Sequence, residues 1–469
     1  MAGDCRSRMQ ITQIEYGTGV QSGTSRPAHR AGIRVWRPWI AVVGLLLGAC
    51  PILVAQASVD DSDVCSRASP SVEERLTACT REIDSGLRQG TDLATVYLNR
   101  GFAYATSRDV DHALADYDEA IRLDPGNMLA YTSRAALHLR KGDLDRAIAD
   151  YSEAIRISPE VPFAFYNRGN AYATMRDFDR AITDFNEAIR LDPQFTFPRM
   201  GRGSVYRAMG DLDRAVAEFS EVIQIDPKAL NAYNSRGAVL VAKHDYDAAI
   251  TDFGALIRLA PNAALGYYTR GLAYYAKGDL DSAILDLSEV IRLEPNSVDG
   301  YNNRGRAYVA KGDYDQAIAD YGEVIRLDPK RVFAYDNRGL TYYAKRDLER
   351  AVADFSTAID LDPTYASAYN NRGNAYDDAG DHDRAIADYS EAIRLDAKNP
   401  EVYYNRGVAY AAKRDLAHAI ADFDAAIELD PKLAFAYLNR GLAKRAQGDS
   451  TAGDADVAKA KQLNPNLGK

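Results

Sequence analysis

Histidine and cysteine are scarce in this chain, six and four of its 469 residues. His29, His112, His138, His244, His382 and His418 are scattered, and none pairs with a cysteine at a zinc-binding interval. No glycine-rich phosphate loop occurs, and no Ser-His-Asp arrangement can be picked out. We therefore expect no metal, no cofactor and no enzyme. Basic charge is also short, with 57 Lys and Arg against 67 Asp and Glu, a net charge of −10. Residues 1–57 run the other way, with six Arg against Asp4 and Glu15, so the remainder carries −14. Such an acidic body lacks the basic footprint that nucleic acid or an anionic membrane requires.

Long apolar runs are also rare, and the clearest lies near the N-terminus. Arg30, Arg34 and Arg37 precede an uncharged run from Trp39 to Ala57. The run ends in Ala55-Gln56-Ala57, a small-x-small cleavage pattern, and Asp60, Asp61 and Asp63 follow. We read it as an export signal. Retained as an anchor, it would still leave the body outside the cytoplasm by the positive-inside rule. Leu47-Gly48-Ala49-Cys50 is similar to a lipoprotein cleavage box, although apolar Pro51-Ile52-Leu53-Val54 follows where a polar residue is usual. An uncleaved hydrophobic helix is a further reading. The expected location is periplasmic, or anchored in the inner membrane with membrane contact through this segment alone. Cys5 and Cys50 lie in the leader, which leaves Cys65 and Cys79. Two close cysteines in an exported protein suggest a disulfide. It would close a loop of roughly 15 residues, worth on the order of 3 kcal/mol. Two buried thiols are the other reading.

The rest of the chain is a repeat. Arg recurs at 100, 134, 168, 202, 236, 270, 304, 338, 372, 406 and 440, a constant step of 34. Gly follows it ten times and Ala135 once. Pro keeps the same step from Pro125 to Pro465, with Ala397 the one miss. The eleven units are 94–127, 128–161, 162–195, 196–229, 230–263, 264–297, 298–331, 332–365, 366–399, 400–433 and 434–467. Within 332–365, Tyr335, Gly339 and Tyr342 form one helical stripe, and Ala351, Phe355, Ala358 and Ile359 form another. Between them a Gly-Asp or Arg-Asp pair, such as Gly142-Asp143 or Arg346-Asp347, turns the chain. Gly there provides a left-handed helix end, and Asp caps the second helix. Asp-Pro then closes the unit. Val72 to Leu87, inside the linker 58–93, reads as one further helix that covers the first unit. The predicted class is all-α, and with 36 residues between the signal and the first unit and two after the last we expect no catalytic domain of ordinary size.

Tyr335, Gly339, Tyr342, Ala351, Phe355, Ala358 and Pro363 fall where the tetratricopeptide repeat family carries its aromatic, Gly, Tyr, Ala, aromatic, Ala and Pro. Residues 94–467 thus resemble that family throughout. The resemblance implies a right-handed superhelical solenoid of antiparallel helix pairs, whose concave face, lined by each first helix, binds partner proteins or peptides. It also exposes a departure, because the family usually has an apolar residue where this chain has the recurrent Arg. An acid stands sixteen residues after each Arg, from Asp116 to Asp456, with Glu218 the only Glu. We expect structural ion pairs such as Arg338 with Asp354 and Arg372 with Asp388. In the rival reading these arginines contact ligand.

Asn precedes the Arg as Asn99, Asn167, Asn303, Asn337, Asn371, Asn405 and Asn439. The resemblance points this position into the groove. A similar asparagine ladder grips peptide backbone in the O-linked N-acetylglucosamine transferases, so Asn303 to Asn439 is the candidate peptide-binding row. Asn302, Arg306, Asp336, Asn370, Asn374 and Tyr404 are variable neighbours suited to specificity. The lysine of the family's two-carboxylate clamp is missing, so that function is not carried over. Asp377, Asp378, Asp381 and Asp383 cluster, but without calcium-loop spacing. The expected function is a non-catalytic protein-binding scaffold. Alternatives are a subunit of an envelope assembly (secretion or polysaccharide export) and, if the leader is not a signal, a cytoplasmic regulator.

Overall fold

The structure is a computed structural model that describes residues 61–66 and 71–467. The basic leader and its apolar run lie outside the described residues. Two helices, α1 (Asp61–Ser66) and α2 (Val72–Asp84), precede the array. Eleven pairs follow: α3 (Gly90–Thr106) with α4 (Val110–Leu123), α5 (Met128–Lys141) with α6 (Leu144–Ile157), α7 (Pro162–Thr174) with α8 (Phe178–Leu191), and α9 (Thr196–Ala208) with α10 (Leu212–Ile225). Next come α11 (Leu230–Ala242) with α12 (Tyr246–Leu259), α13 (Ala264–Lys277) with α14 (Leu280–Leu293), α15 (Val298–Lys311) with α16 (Tyr314–Leu327), and α17 (Val332–Ala344) with α18 (Leu348–Leu361). The last are α19 (Ala366–Asp378) with α20 (His382–Leu395), α21 (Pro400–Ala412) with α22 (Leu416–Leu429), and α23 (Ala434–Ala446) with α24 (Ser450–Leu463). They form an all-α right-handed superhelical solenoid. Among the described residues no helix is long and apolar enough to cross a membrane.

Two local devices set the pairs. The Asp before each second helix caps it, as Asp347 accepts from the Arg350 N–H at 3.1 Å. Only Asp313 makes no such bond, and Lys311 lies 3.5 Å from its carboxylate. The first helix ends in a left-handed residue, and here the structure departs from the glycine rule. Gly142, Gly278 and Gly312 fill the place in some repeats, but Arg108, Arg176, His244, Arg346 and Arg414 adopt φ of 61–65° in others. That conformation costs a non-glycine residue on the order of 1–2 kcal/mol, so packing of the two helices must offset it.

Inside each pair the helices come close at the recurrent glycine. A Cβ on Gly339 would lie 2.7 Å from the Phe355 ring, which is why the aromatic can sit fully buried there. Ala135 takes the place once and packs with Tyr151. Each pair packs on the next, and successive first helices also touch, as α17 does α19 and α19 does α21. No successive second helices make a comparable contact among the described residues. First helices therefore line the inner, tighter side of the coil.

The N-terminal end differs from expectation in two respects. α3 begins at Gly90, a turn earlier than the repeat register requires, and α1 adds a short helix. Cys65 of α1 and Cys79 of α2 are disulfide-bonded, with Cα atoms 4.9 Å apart. Both are buried, with Ala78 and Val96 of α3 in the same apolar cluster. The bond thus ties a six-residue helix, too short to hold by itself, onto the cover of the first repeat.

Candidate functional site

The recurrent Arg makes the most regular polar contacts of the array. In ten repeats its Nε and Nη2 donate to both oxygens of the Asp sixteen residues on, at 2.5–2.9 Å. Arg338 grips Asp354 and Arg372 grips Asp388 in this way, joining the first helix to the second. The carboxylates are buried, and each guanidinium is mostly covered. The bond to Asp354 holds the Arg338 guanidinium above its ordinary pKa, against the pull of burial. Nearby rings flank the cation, with Tyr335 and Tyr342 centroids 5.9 and 6.0 Å from Arg338. These arginines are thus occupied within the protein.

Glu218 breaks the fork. Its Oε1 lies 2.7 Å from Arg202 Nη2, but Arg202 Nε and Glu218 Oε2 are buried with no hydrogen-bond partner among the described residues. The extra methylene carries the carboxylate past the parallel geometry that Asp allows.

The arginines also reach backwards to the adjoining repeat, through Ser, Asp and Asn acceptors that the sequence did not single out. Nη1 donates to the second helix of the preceding repeat: Arg168 to Ser152, Arg304 to Ser288 and Arg372 to Ser356, each at 3.0 Å. Asp118 and Asp424 serve Arg134 and Arg440, both at 2.6 Å, and Asn186 serves Arg202. One side chain therefore joins three helices. Where the position is Gly254 or Gly322, Arg270 and Arg338 make no such third bond among the described residues. The signal was present, since Ser, Asp or Asn recurs on the 34-residue step, but its partner lies in the next unit.

The asparagine row is on the first helices, and each member donates to the first helix before it. Asn303 Nδ2 reaches Tyr268 Oη at 3.1 Å, Asn337 reaches Asn302 Oδ1 at 3.3 Å, and Asn371 reaches Asp336 Oδ1 at 2.9 Å. Asn405 reaches Asn370 Oδ1 at 3.2 Å, and Asn439 reaches Tyr404 Oη at 3.0 Å. Asn302, Asp336, Asn370 and Tyr404, read as specificity residues, are thus the acceptors that hold the row. Asn303 is buried and saturated, since it also donates to Asp299 O and accepts from Arg306 Nη1. Asn374 accepts from Tyr389 Oη at 2.8 Å. Asn337, Asn371, Asn405 and Asn439 remain half-buried.

Asp336 is the odd member. Its carboxyl is buried and held by Asn371 and by Tyr365 Oη at 3.3 Å. Burial pushes it above the usual carboxylate range, although both hydrogen bonds pull the other way. The Asp377 cluster is engaged internally. Asp377 contacts His382 at 2.7 Å, Asp378 meets Arg346 at 2.8 Å and Tyr343 at 2.6 Å, Asp381 caps α20, and Asp383 pairs with Lys413. No group of acids, histidines and cysteines suited to a metal ion occurs among the described residues.

Comparison with known proteins agrees with this architecture. A family model described as TPR repeat matches residues 203–243, 271–310, 305–346, 339–380 and 373–414. Two described as tetratricopeptide repeat match 162–195 and 400–433, and 98–162. The chain belongs to the tetratricopeptide repeat family. Such an array is a protein-interaction scaffold, and proteins of this kind are in general non-catalytic. Among solved structures it is similar to MamA protein, at 30% identity over 36% of this chain and 93% of that one, with a TM-score of 0.34. It is also similar to yeast Tom70, at 17% identity over 79% and 92%, TM-score 0.41. A third is YrrB, described as a TPR protein with an unusual peptide-binding site, at 25% identity over 39% and 95%, TM-score 0.34. No curated protein matches the chain.

Proposed function

We propose that the chain holds extended segments of partner proteins along the inner face from α17 to α23. One observation carries this reading. Asn337, Asn371, Asn405 and Asn439 stand at the same helical position in four successive first helices, each half-buried and tied by one amide hydrogen to the helix before. A carboxamide has two donors and an acceptor oxygen, so each retains an N–H and its oxygen for a peptide backbone. The tie fixes the side chain beforehand and lowers the ordering cost of binding. Asn303 is outside the row, because its groups are already used.

The test is a cross-linking pull-down with Asn371→Ala and Asn405→Ala. Tyr404→Phe serves as control, since it removes the acceptor for Asn439 but leaves the carboxamide in place. Loss of partners in the alanine variants alone supports the row. Equal loss in Tyr404→Phe makes the asparagines struts, and unchanged partners in all three move the site elsewhere.

We also propose that the array works outside the cytoplasm, as an exported scaffold or as a subunit of an envelope assembly. The Cys65–Cys79 disulfide supports this, since such bonds persist in oxidising compartments. Fractionation checks it: protein in the cytosol with an intact leader and two free thiols would favour a cytoplasmic regulator.

A further inference from the structure

A second ladder runs along the turn edge of the array. The Lys that ends a first helix bridges to an Asp in the first turn of the preceding second helix. Lys141 meets Asp111 at 3.1 Å, Lys277 meets Asp247 at 2.6 Å and Lys311 meets Asp281 at 2.8 Å. Lys243 with Asp213, Lys345 with Asp315 and Lys413 with Asp383 repeat the contact. At two consecutive junctions the Lys is replaced by Met175 and Met209, which are 43% and 46% exposed. Asp145 and Asp179, the acids of those junctions, are exposed and meet no cation among the described residues.

We infer that this edge, formed by Met175, Met209, Asp145 and Asp179, docks a protein segment whose Lys or Arg side chains supply in trans the cation that Lys supplies elsewhere. The shape is suited to it. Met175, Asp179 and Met209 line one open depression of about 480 Å³, and Met209 also borders a second of about 530 Å³ beside the Lys243–Asp213 bridge. The stem of a basic side chain is apolar, and its head is charged. On this edge the stem meets an adaptable thioether and the head meets a carboxylate. Arg176 lines the first depression too, but such an Arg does not prevent the contact. Arg346 and Arg414 stand in the same place beside Lys345 and Lys413, and both lysines reach their acids. Asp177, also in the depression, is already paired with Arg180. This surface is distinct from the asparagine row.

The purified full chain is titrated with a fluorescein-labelled eight-residue peptide of alternating lysine and serine. Asp145→Asn with Asp179→Asn should weaken binding about five- to tenfold, inside the range of about two- to thirtyfold that two exposed ion pairs span. Met175→Lys with Met209→Lys, which closes both junctions in cis, should do the same. Gln194→Lys with Gln447→Lys adds equal charge away from these acids and should change affinity less than about twofold. Met175→Leu with Met209→Leu should retain binding. All these positions are on the surface, so folding is preserved. Equal loss in both lysine pairs, or no loss on removing the two carboxylates, would overturn the inference.

Discussion

Arg338 and Asp354 meet through two parallel hydrogen bonds, Nε to Oδ2 and Nη2 to Oδ1, each 2.8 Å long. The same relation recurs through the array, so the polar wiring follows the period of the chain rather than any one site. Removing Arg338 would leave a buried carboxylate without its cation. Arg338→Ala should therefore cost about 3–5 kcal/mol in urea unfolding. A double-mutant cycle with Asp354→Asn should give a coupling above the ~1 kcal/mol of a surface pair. Coupling near zero would leave the pair without structural weight.

Glu218 supplies the converse experiment. Glu218→Asp should let Arg202 form the fork seen in the other repeats and satisfy two buried atoms now without partners. Stability should rise by about 1 kcal/mol. A lower urea midpoint would show that the local backbone, not the methylene, sets this geometry.

The missing third arm can be restored. Gly322 faces Arg338 Nη1, which would lie 4.0 Å from an added Cβ. Ser is poorer than Ala in a helix by about 0.5 kcal/mol. Gly322→Ser should nevertheless match or exceed Gly322→Ala in stability, because its hydroxyl accepts from Arg338 as Ser356 does from Arg372. A Ser variant weaker than the Ala variant by the full propensity difference would mean that no bond forms.

What the sequence could and could not reveal follows from this wiring. Arg338 and Asp354 lie in one 34-residue unit, so their constant offset was visible. Ser356 serves Arg372, and Asp336 serves Asn371, across a repeat boundary. Such partners depend on how units stack, which periodicity does not specify. For the same reason Asn370 and Tyr404 read as free groove residues when they are acceptors for the next helix. Arg346 in a left-handed turn was hidden by the expectation of glycine, and α1 is too short to leave a helical pattern.

Asp336 gives the array a pH dependence. Its carboxyl titrates above the unfolded value of about 3.9, so the folded state holds the proton more tightly. Stability from this group is full below that value and is lost as pH rises through the folded pKa. Asp336→Asn removes the ionisation and keeps an acceptor for Asn371. The variant should be more stable than the parent at pH 7, with the gap closing toward pH 4. A gap independent of pH would contradict this origin.

The central claim, a peptide-binding inner face, is tested most directly by site-specific photo-cross-linking. A photoreactive residue is placed at Ser367, exposed on the first helix α19, and separately at Thr357 on the second helix α18. The account expects partner proteins to cross-link from position 367, to vanish there when Asn371 and Asn405 are alanine, and to be absent from position 357. Equal cross-linking from both positions, or cross-links at 367 that persist without the asparagines, would contradict it.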